Sequence, residues 1–395
     1  MQTTARLLFE SICWIGLVVI KILQIVPSLA SDSGVTRFVL NMNRYIDRDR
    51  FHFDFFHHSS ESGRLIFPNS LDDELKAEGS SVYVVSHGKT SPFEFAREAT
   101  DVLGKVASKY DIAHCHVPNN AFVTLRACRR AGVGVRVIHS HLNSSSDNAI
   151  HRLRNAPLIA FGKRFANAYS ACSNEAGKYL FGNVPFELIN NGICLDDFAY
   201  SINARENLRA ELGISENAPV IGCVGRFVKQ KNYSFAIDAF ATYIQVVPEA
   251  RLVILGDGEG RRALEDKIAS LGLSDKVFLP GVRSDVARFY SVFDVFFMPS
   301  LYEGLPISAV EAQAAGLPCV FSTNVPAESD VAGNGRFVDL ESSLEDWATE
   351  LSAAIEDGRD AFAGERLAKA GYSAEANAEK LMEYYEELLK RVSGK

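Results

Sequence analysis

Two glutamates, Glu303 and Glu311, bracket a loop and the start of a helix in the stretch Phe297-Met-Pro-Ser-Leu-Tyr-Glu303-Gly-Leu-Pro-Ile-Ser-Ala-Val-Glu311-Ala-Gln-Ala-Ala-Gly316. The stretch leaves an apolar run, Val292 to Met298, that predicts a buried strand. Pro306 suits the first position of the helix, and Gly316 with Pro318 stops it. Between the two carboxylates lie the backbone amides of Gly304, Leu305, Pro306 and Ile307, less the one that proline lacks. Amides at a helix N-terminus take phosphate. A carboxylate on either side accepts hydrogen bonds from sugar or ribose hydroxyls. The pattern therefore suits a sugar diphosphate. Taken alone, it equally suits a solvated loop glutamate and an exposed helix glutamate.

A second set of residues bears on that choice. After the buried run Pro219-Val-Ile-Gly-Cys-Val-Gly225 comes Arg226-Phe-Val-Lys-Gln-Lys231-Asn232, and a helix is predicted from Tyr233. Two cations between a strand and a helix N-terminus form a pyrophosphate clamp, Arg226 with a planar fork and Lys231 with a point charge. The alternative is a basic surface loop. Gly256-Asp-Gly-Glu-Gly260 invites a dinucleotide reading. The spacing departs from G-x-G-x-x-G, however, and the turn follows the second strand of its domain instead of the first. A loop from Pro27 to Thr36, with Ser33-Gly34, lets a ligand approach the backbone closely or is an ordinary turn. Four histidines, His114, His116, His139 and His141, fall at strand ends. A metal site is not expected, because adjacent and alternate residues of one strand do not converge as a chelate. His141 ends its strand and is the histidine favoured for a functional role, with His116 behind it.

The string Glu303-Gly-Leu-Pro-Ile-Ser-Ala-Val-Glu311 resembles the E-x7-E motif of retaining glycosyltransferases with the GT-B fold, family 4 (group 1) in particular, as in bacterial capsule and exopolysaccharide synthesis. The resemblance runs from about Lys21 to the C-terminus, with the motifs in the family's order. It implies that Arg226 and Lys231 hold the donor diphosphate, Glu311 the ribose and Glu303 the transferred sugar, with His141 beside that sugar. It further implies that Gly34 lies at the donor phosphates, where Ser33-Gly34 replaces a glycine pair, and that the backbone around Val282 and Arg283 meets the base. Gly304, Leu305 and Pro306 complete the implied donor site. Ile189-Asn-Asn-Gly-Ile193 looks like the inter-domain segment, although Cys194 stands where an aspartate is common. The implied reaction moves a sugar from a nucleotide sugar, with UDP-sugar first among donors, to a glycan or polyprenyl-diphosphate-linked acceptor with retention. No Asp-x-Asp is placed to hold a metal at the diphosphate, so no metal and no cofactor are expected. Alternatives are an epimerase or phosphorylase of the same fold, or a non-catalytic subunit that binds nucleotide sugar.

The elements that position these residues alternate between strand and helix patterns. Strands are predicted at Lys21–Val26, Phe51–Phe56, Ser81–Val85, 111–116, 135–141, Ala168–Ser173, 219–225, 250–255, 277–279, 292–298 and 318–322. This α/β alternation predicts parallel sheets with helices on both faces, with ligands beyond the C-terminal strand ends. The expected architecture is two Rossmann-like doubly wound domains facing across a cleft. The divisions are an apolar extension 1–20, an acceptor domain 21–198, a nucleotide-sugar domain 199–371 that opens on a polar helical linker, and a helix 372–395 returning to the first domain.

Composition sets the outer limits. At 395 residues with 47% hydrophobic and 23% charged side chains, the chain suits two globular domains with full cores. A net charge of -8 argues against general nucleic-acid binding. Seven scattered cysteines without a C-x-x-C pair fit reduced thiols in a cytoplasmic compartment. Leu7 to Ile20 is apolar apart from Glu10 and Ser11 but shorter than the ~20 residues of a span. It reads as an appended helix, with an interfacial anchor or a true span as the alternatives, and no signal cleavage site is clear. Residues 121–180 hold nine Lys or Arg against Asp147 and Glu175, a net of +7. Mixed with Leu153, Leu158, Ile159 and Phe161, they suit an anionic membrane surface, a solvated face or a diphosphate acceptor. The expected location is cytoplasmic, peripheral on the inner face of the membrane.

Overall fold

The computed structural model describes residues 19–30, 33–58, 70–87, 91–141 and 149–394, with backbone alone over 149–154. The apolar extension falls outside them up to residue 18, as do the side chains of Arg152 and Arg154. The chain divides into two compact units. One runs to Asn191 and takes in the chain again from Glu375; the other is Gly192–Ala374.

The first unit holds a seven-stranded sheet of β1 (Ile20–Ile25), β2 (Phe51–His58), β3 (Val82–Val85), β4 (Ile112–Cys115), β5 (Val135–Ser140), β6 (Ala168–Ala171) and β7 (Glu187–Leu188). Its order is β3-β2-β1-β4-β5-β6-β7 with every pair parallel. A parallel strand is buried on both faces and so needs a near-continuous apolar run. β4 is buried throughout, and β2 is buried at six of its eight positions. The order reverses between β1 and β4, which makes the C-terminal ends of these strands the switch point of the sheet. The last helix, Ala374–Ser393, completes this unit. Its fully buried Tyr385 packs on Phe51 and Phe53, Arg50 pairs with Glu386, and the Tyr384 hydroxyl donates to the Tyr169 carbonyl at 2.9 Å.

The second unit repeats the pattern with β8 (Val220–Val224), β9 (Arg251–Leu255), β10 (Val277–Gly281), β11 (Val295–Met298), β12 (Cys319–Ser322) and β13 (Gly335–Val338). The order is β10-β9-β8-β11-β12-β13, again parallel, with the switch point between β8 and β11. Alternation along a strand sends its side chains to two cores. Leu252, Ile254, Val295 and Phe297 join Trp347 on one face. Val253, Leu255, Phe296 and Met298 join Ala309 and Ala312 on the other.

Several expectations need adjusting. β7 and β13 were not foreseen. Residues 199–217 are not a free linker: the helix Ile202–Glu211 buries Leu208 and Arg209 in the second unit. Pro306 is the N-cap of the helix Ile307–Ala314, with an extended ψ of 115°, and not its first helical residue.

Candidate functional site

The second unit gathers its chemistry at the switch point. β8 ends at Val224, and Gly225 follows with φ 154°. A Cβ there would stand 2.7 Å from the Tyr233 hydroxyl and 3.1 Å from Lys231 Cε, so the close turn needs glycine. A short 3₁₀ turn, Lys229–Lys231, leads to Asn232. Asn232 is the one non-glycine residue with positive φ among the described residues (55°). Its side chain donates to the Pro299 carbonyl at 3.1 Å, a local tie that suits asparagine to this left-handed position. The loop after β8 is thereby fastened to the loop after β11. The Leu301 amide donates to the Gln230 carbonyl at 2.8 Å. Gln230 Nε2 donates to the Tyr302 carbonyl at 2.9 Å and to Glu303 Oε2 at 3.2 Å. Lys231 Nζ donates to Glu303 Oε1 at 2.8 Å, with 15% and 6% of the two side chains exposed.

The two motifs read separately from the sequence thus meet in one ion pair. Arg226 differs from Lys231: it is exposed and, among the described residues, its side chain has no hydrogen bond or ion pair. The backbone N–H groups of Gly304, Leu305 and Ile307 likewise have no partner among the described residues. Glu311 is 3% exposed, which removes the exposed-helix alternative for it, and the buried Tyr290 hydroxyl donates to its Oε2 at 2.7 Å. Sequence reasoning missed Tyr290; a lone tyrosine ahead of a strand carries no signal of its partner.

The glycine turn after β9 packs against the same loop. A Cβ on Gly256 would stand 2.0 Å from the Gly225 carbonyl oxygen. The Phe227 amide donates to the Asp257 carbonyl at 2.8 Å, and the Gly260 amide to the Phe227 carbonyl at 2.9 Å. The turn therefore shapes the Arg226 loop. After β10, Val282 is 71% exposed. The Arg283 guanidinium is occupied, bonding both oxygens of Asp285 (2.8 and 3.0 Å) and Glu211 at 3.1 Å. That bidentate bond holds the Asp285 carboxyl below the usual carboxylate range.

In the first unit, Ser33 caps the helix Gly34–Tyr45, its hydroxyl accepting from the Thr36 amide. A Cβ on Gly34 would meet nothing within 4 Å, so open space adjoins it. Phe38 of the same helix packs edge-on against His139 and His141, with centroids 4.9 and 5.1 Å away. The four histidines do converge, contrary to the sequence-based expectation. β4 and β5 are neighbours, so residues of matching register share a face across the two strands. Nitrogens of His114, His116 and His139 lie within 4.8 Å of one another. The rings nevertheless stack: His139 on His141 at 4.2 Å and His114 on His116 at 4.3 Å. His114 and His116 commit both nitrogens to hydrogen bonds with His139, His141, Gln24, Ser170 and Tyr385. The stacked rings thus bond mainly to one another and to Gln24, Ser170 and Tyr385, while His139 Nε2 and His141 Nδ1 have no hydrogen-bond partner among the described residues. Burial pushes His114 down to about 3, with His141 adding to the effect, and pushes His141 down to about 4. His116 and His139 are likewise held well below the usual histidine range, burial first.

The basic segment is only partly a surface. Arg136 spends its guanidinium on the carbonyls of Phe165, Val133 and Gly134, and Lys163 donates to the Leu180 carbonyl at 2.6 Å. Arg129, Arg130 and Arg164 are exposed, and Phe161, itself 49% exposed, lies under Arg164 at 5.2 Å.

Comparison with known proteins supplies the family. Residues 204–377 match the family model "Glycosyl transferases group 1", and residues 33–197 match "Glycosyltransferase Family 4". The chain is 33% identical over 366 residues to a putative glycosyltransferase, EpsF, of Bacillus subtilis, covering 89% of this chain and 93% of that one. It is 29% identical over 310 residues to an Escherichia coli enzyme named UDP-Gal:alpha-D-GlcNAc-diphosphoundecaprenol alpha-1,3-galactosyltransferase, covering 76% and 78%. In fold it is similar to Anabaena HepE, solved in complex with UDP (TM-score 0.68, 22% identity, 95% of this chain and 100% of that one). It is also similar to sucrose-phosphate synthase of Thermosynechococcus elongatus (TM-score 0.74, 20% identity, 94% and 100%). The chain belongs to the group 1, family 4 glycosyltransferases.

Proposed function

We propose that this glycosyltransferase moves a sugar, with retention and without a metal, from a UDP-sugar to a glycan or polyprenyl-diphosphate-linked acceptor in surface-polysaccharide synthesis. The observation that carries the reading is the Lys231–Glu303 pair at the switch point, set beside a buried Glu311 and, unpartnered among the described residues, the Arg226 side chain and the amides of Gly304, Leu305 and Ile307. UDP in the HepE structure and UDP-Gal in the Escherichia coli enzyme's name support the choice of base. EpsF and the diphosphoundecaprenol acceptor named for that enzyme support the choice of acceptor.

In this reading Arg226 and the open amides take the diphosphate, with Gly34 near it, and Lys231 turns to it when Glu303 is drawn to a sugar hydroxyl. Glu311, held by Tyr290, accepts from the ribose, and the backbone at Val282 and Arg283 faces the base. The acceptor oxygen bonds to the anomeric carbon on the face from which the phosphate oxygen leaves. The acceptor's proton goes to that departing oxygen. Arg226 and Lys231 stabilise the charge that develops there, which is electrostatic catalysis and fills the role of a divalent ion. His141 stands on the sugar side as a neutral ring. The exposed Arg129, Arg130, Arg164 and Phe161 suit an anionic membrane surface on the cytoplasmic side, where the lipid-linked acceptor would be met.

The test is a panel of nucleotide sugars followed by thermal shift and by sugar transfer, with and without EDTA. The reading expects UDP-sugars to raise Tm by mass action and transfer to survive the chelator. Activity lost to EDTA and restored by Mg²⁺ or Mn²⁺ would overturn the metal-free part.

A further inference from the structure

Gln24 is a polar residue in the central strand β1, and it is 1% exposed. Its carboxamide carries an acceptor at one end and a donor at the other. Oε1 lies 2.9 Å from His116 Nε2, and Nε2 lies 3.3 Å from the Tyr385 hydroxyl. On the first side, His116 Nδ1 meets His141 Nε2 at 2.8 Å. On the second, the Tyr385 hydroxyl meets His114 Nδ1 at 2.6 Å, and His114 Nε2 meets His139 Nδ1 at 3.3 Å and Ser170 Oγ at 3.4 Å. The series His141–His116–Gln24–Tyr385–His114–His139 is continuous. Its two ends, His141 Nδ1 and His139 Nε2, are buried and lack a hydrogen-bond partner among the described residues.

We infer that Gln24 and Tyr385 are positioning residues that hold all four imidazoles, His141 included, in one shared tautomer. Proton bookkeeping carries the inference. Gln24 Oε1 accepts, so His116 Nε2 bears its proton and His116 Nδ1 is a lone pair. That lone pair accepts from His141 Nε2–H and leaves His141 Nδ1 bare. Gln24 Nε2–H donates to Tyr385, whose own proton goes to His114 Nδ1. His114 Nε2–H then donates to His139 Nδ1, and His139 ends on Nε2–H. All four rings are Nε2–H. Turning the Gln24 amide end for end reverses every bond and makes all four Nδ1–H, so no mixed set satisfies the chain. The depressed histidine values are consistent with one proton per ring at neutral pH. Asn191 lies beside the His141 end, where its side chain favours an added proton. Tyr385 comes from the last helix, so that helix ties the tautomer of His114 and His139 to the Gln24 amide that orients His116 and His141. The inference rests on the proposed role of His141 for its use in the reaction, but not for its structural test.

That test is ¹⁵N NMR of the histidine side chains in the full-length protein labelled at histidine, with signals assigned by single His→Asn variants. The inference expects one tautomer for all four rings. Two tautomers among them, or averaged signals, would overturn it. Gln24→Glu offers acceptors to both neighbours, so Tyr385 donates to the carboxylate. His114 and His139 should then turn to Nδ1–H while His116 and His141 stay Nε2–H. His114 and His116 still sharing one tautomer in that variant would also overturn the inference. Should Gln24→Glu not fold, Tyr385→Phe should bring averaging at His114 and His139, and locked signals there would count against the inference.

Discussion

All nine histidines of the chain fall before residue 152, and the unit Gly192–Ala374 has none. That unit buries charge instead. Arg209, 1% exposed, bonds the carbonyls of Ser215, Glu216, Ala218 and Val292 and the carboxylate of Asp294. Lys231 and Glu303 are paired at its switch point. The first unit fills the equivalent point of an equivalent sheet with stacked neutral rings. The first six strands follow the same order in both, so the contrast comes from what the strand ends and their loops carry. Fixed cations suit a diphosphate whose charge grows during the reaction. Neutral rings suit hydroxyl groups, since a buried lone pair or N–H matches a hydroxyl and repels no partner.

The contrast is most exposed to attack at the two cations. Arg226→Ala or Lys231→Ala should each lower kcat by about 10²-fold or more. The double variant should fall far short of the product, because both act on one leaving group. The two should differ in stability. Arg226 is exposed and, among the described residues, unpaired, so its loss should leave Tm unchanged, whereas Lys231→Ala takes the ammonium from Glu303 and should cost about 2 kcal/mol. Near-normal turnover in either variant would remove the clamp, and equal melting temperatures would remove the asymmetry.

Acid should separate the units next. The folded values of about 3 for His114 and about 4 for His141 lie below the unfolded value of 6.5. The unfolded chain therefore binds protons first as pH falls. Stability from these rings is complete above pH 6.5 and is lost as pH drops toward their folded values. Between pH 6.5 and pH 5 each ring should give up about 2 kcal/mol. Hydrogen exchange at pH 7 and pH 5 should show amides of β4 and β5 losing protection before those of β8 and β11. Simultaneous loss in both sheets would break the contrast.

A smaller effect should come from Tyr290→Phe. It removes the hydroxyl bonded to Glu311 and should weaken UDP binding by about 1 kcal/mol with little change in the sugar preference. A change in sugar preference as large as the affinity loss would place Glu311 at the sugar instead.

Parts of this contrast were legible in the sequence. Strands β8, β11 and β12 are apolar runs bounded by Gly or Pro, and the cations and glutamates follow them at short distance. β13 was missed because it is a four-residue edge strand carrying Arg336, which pairs with Glu350 and Asp357, and a short run with an arginine does not read as buried. The meeting of Lys231 with Glu303 depends on β8 lying beside β11, an adjacency that the order of reversal creates and local pattern does not reveal. The histidine column was misjudged for a related reason: convergence was sought along one strand, and it occurs across two. Tyr385 was out of reach, since it lies 361 positions from Gln24 on a helix whose apolar stripe gave no sign of a polar partner. Lys163 and Arg136 were counted as surface charge, but each serves backbone carbonyls within the fold.

The most direct measurement of the central claim is calorimetry of UDP binding to the parent, Glu303→Ala and Glu311→Ala, all in EDTA. Glu311→Ala should lose about 1.5–3 kcal/mol, the value of a charged hydrogen bond to the ribose. Glu303→Ala should bind UDP as tightly as the parent or more tightly, because the Lys231 ammonium is then released to the diphosphate, while its turnover with UDP-sugar falls. An affinity loss in Glu303→Ala equal to that in Glu311→Ala, or no UDP binding in EDTA by the parent, would contradict the account.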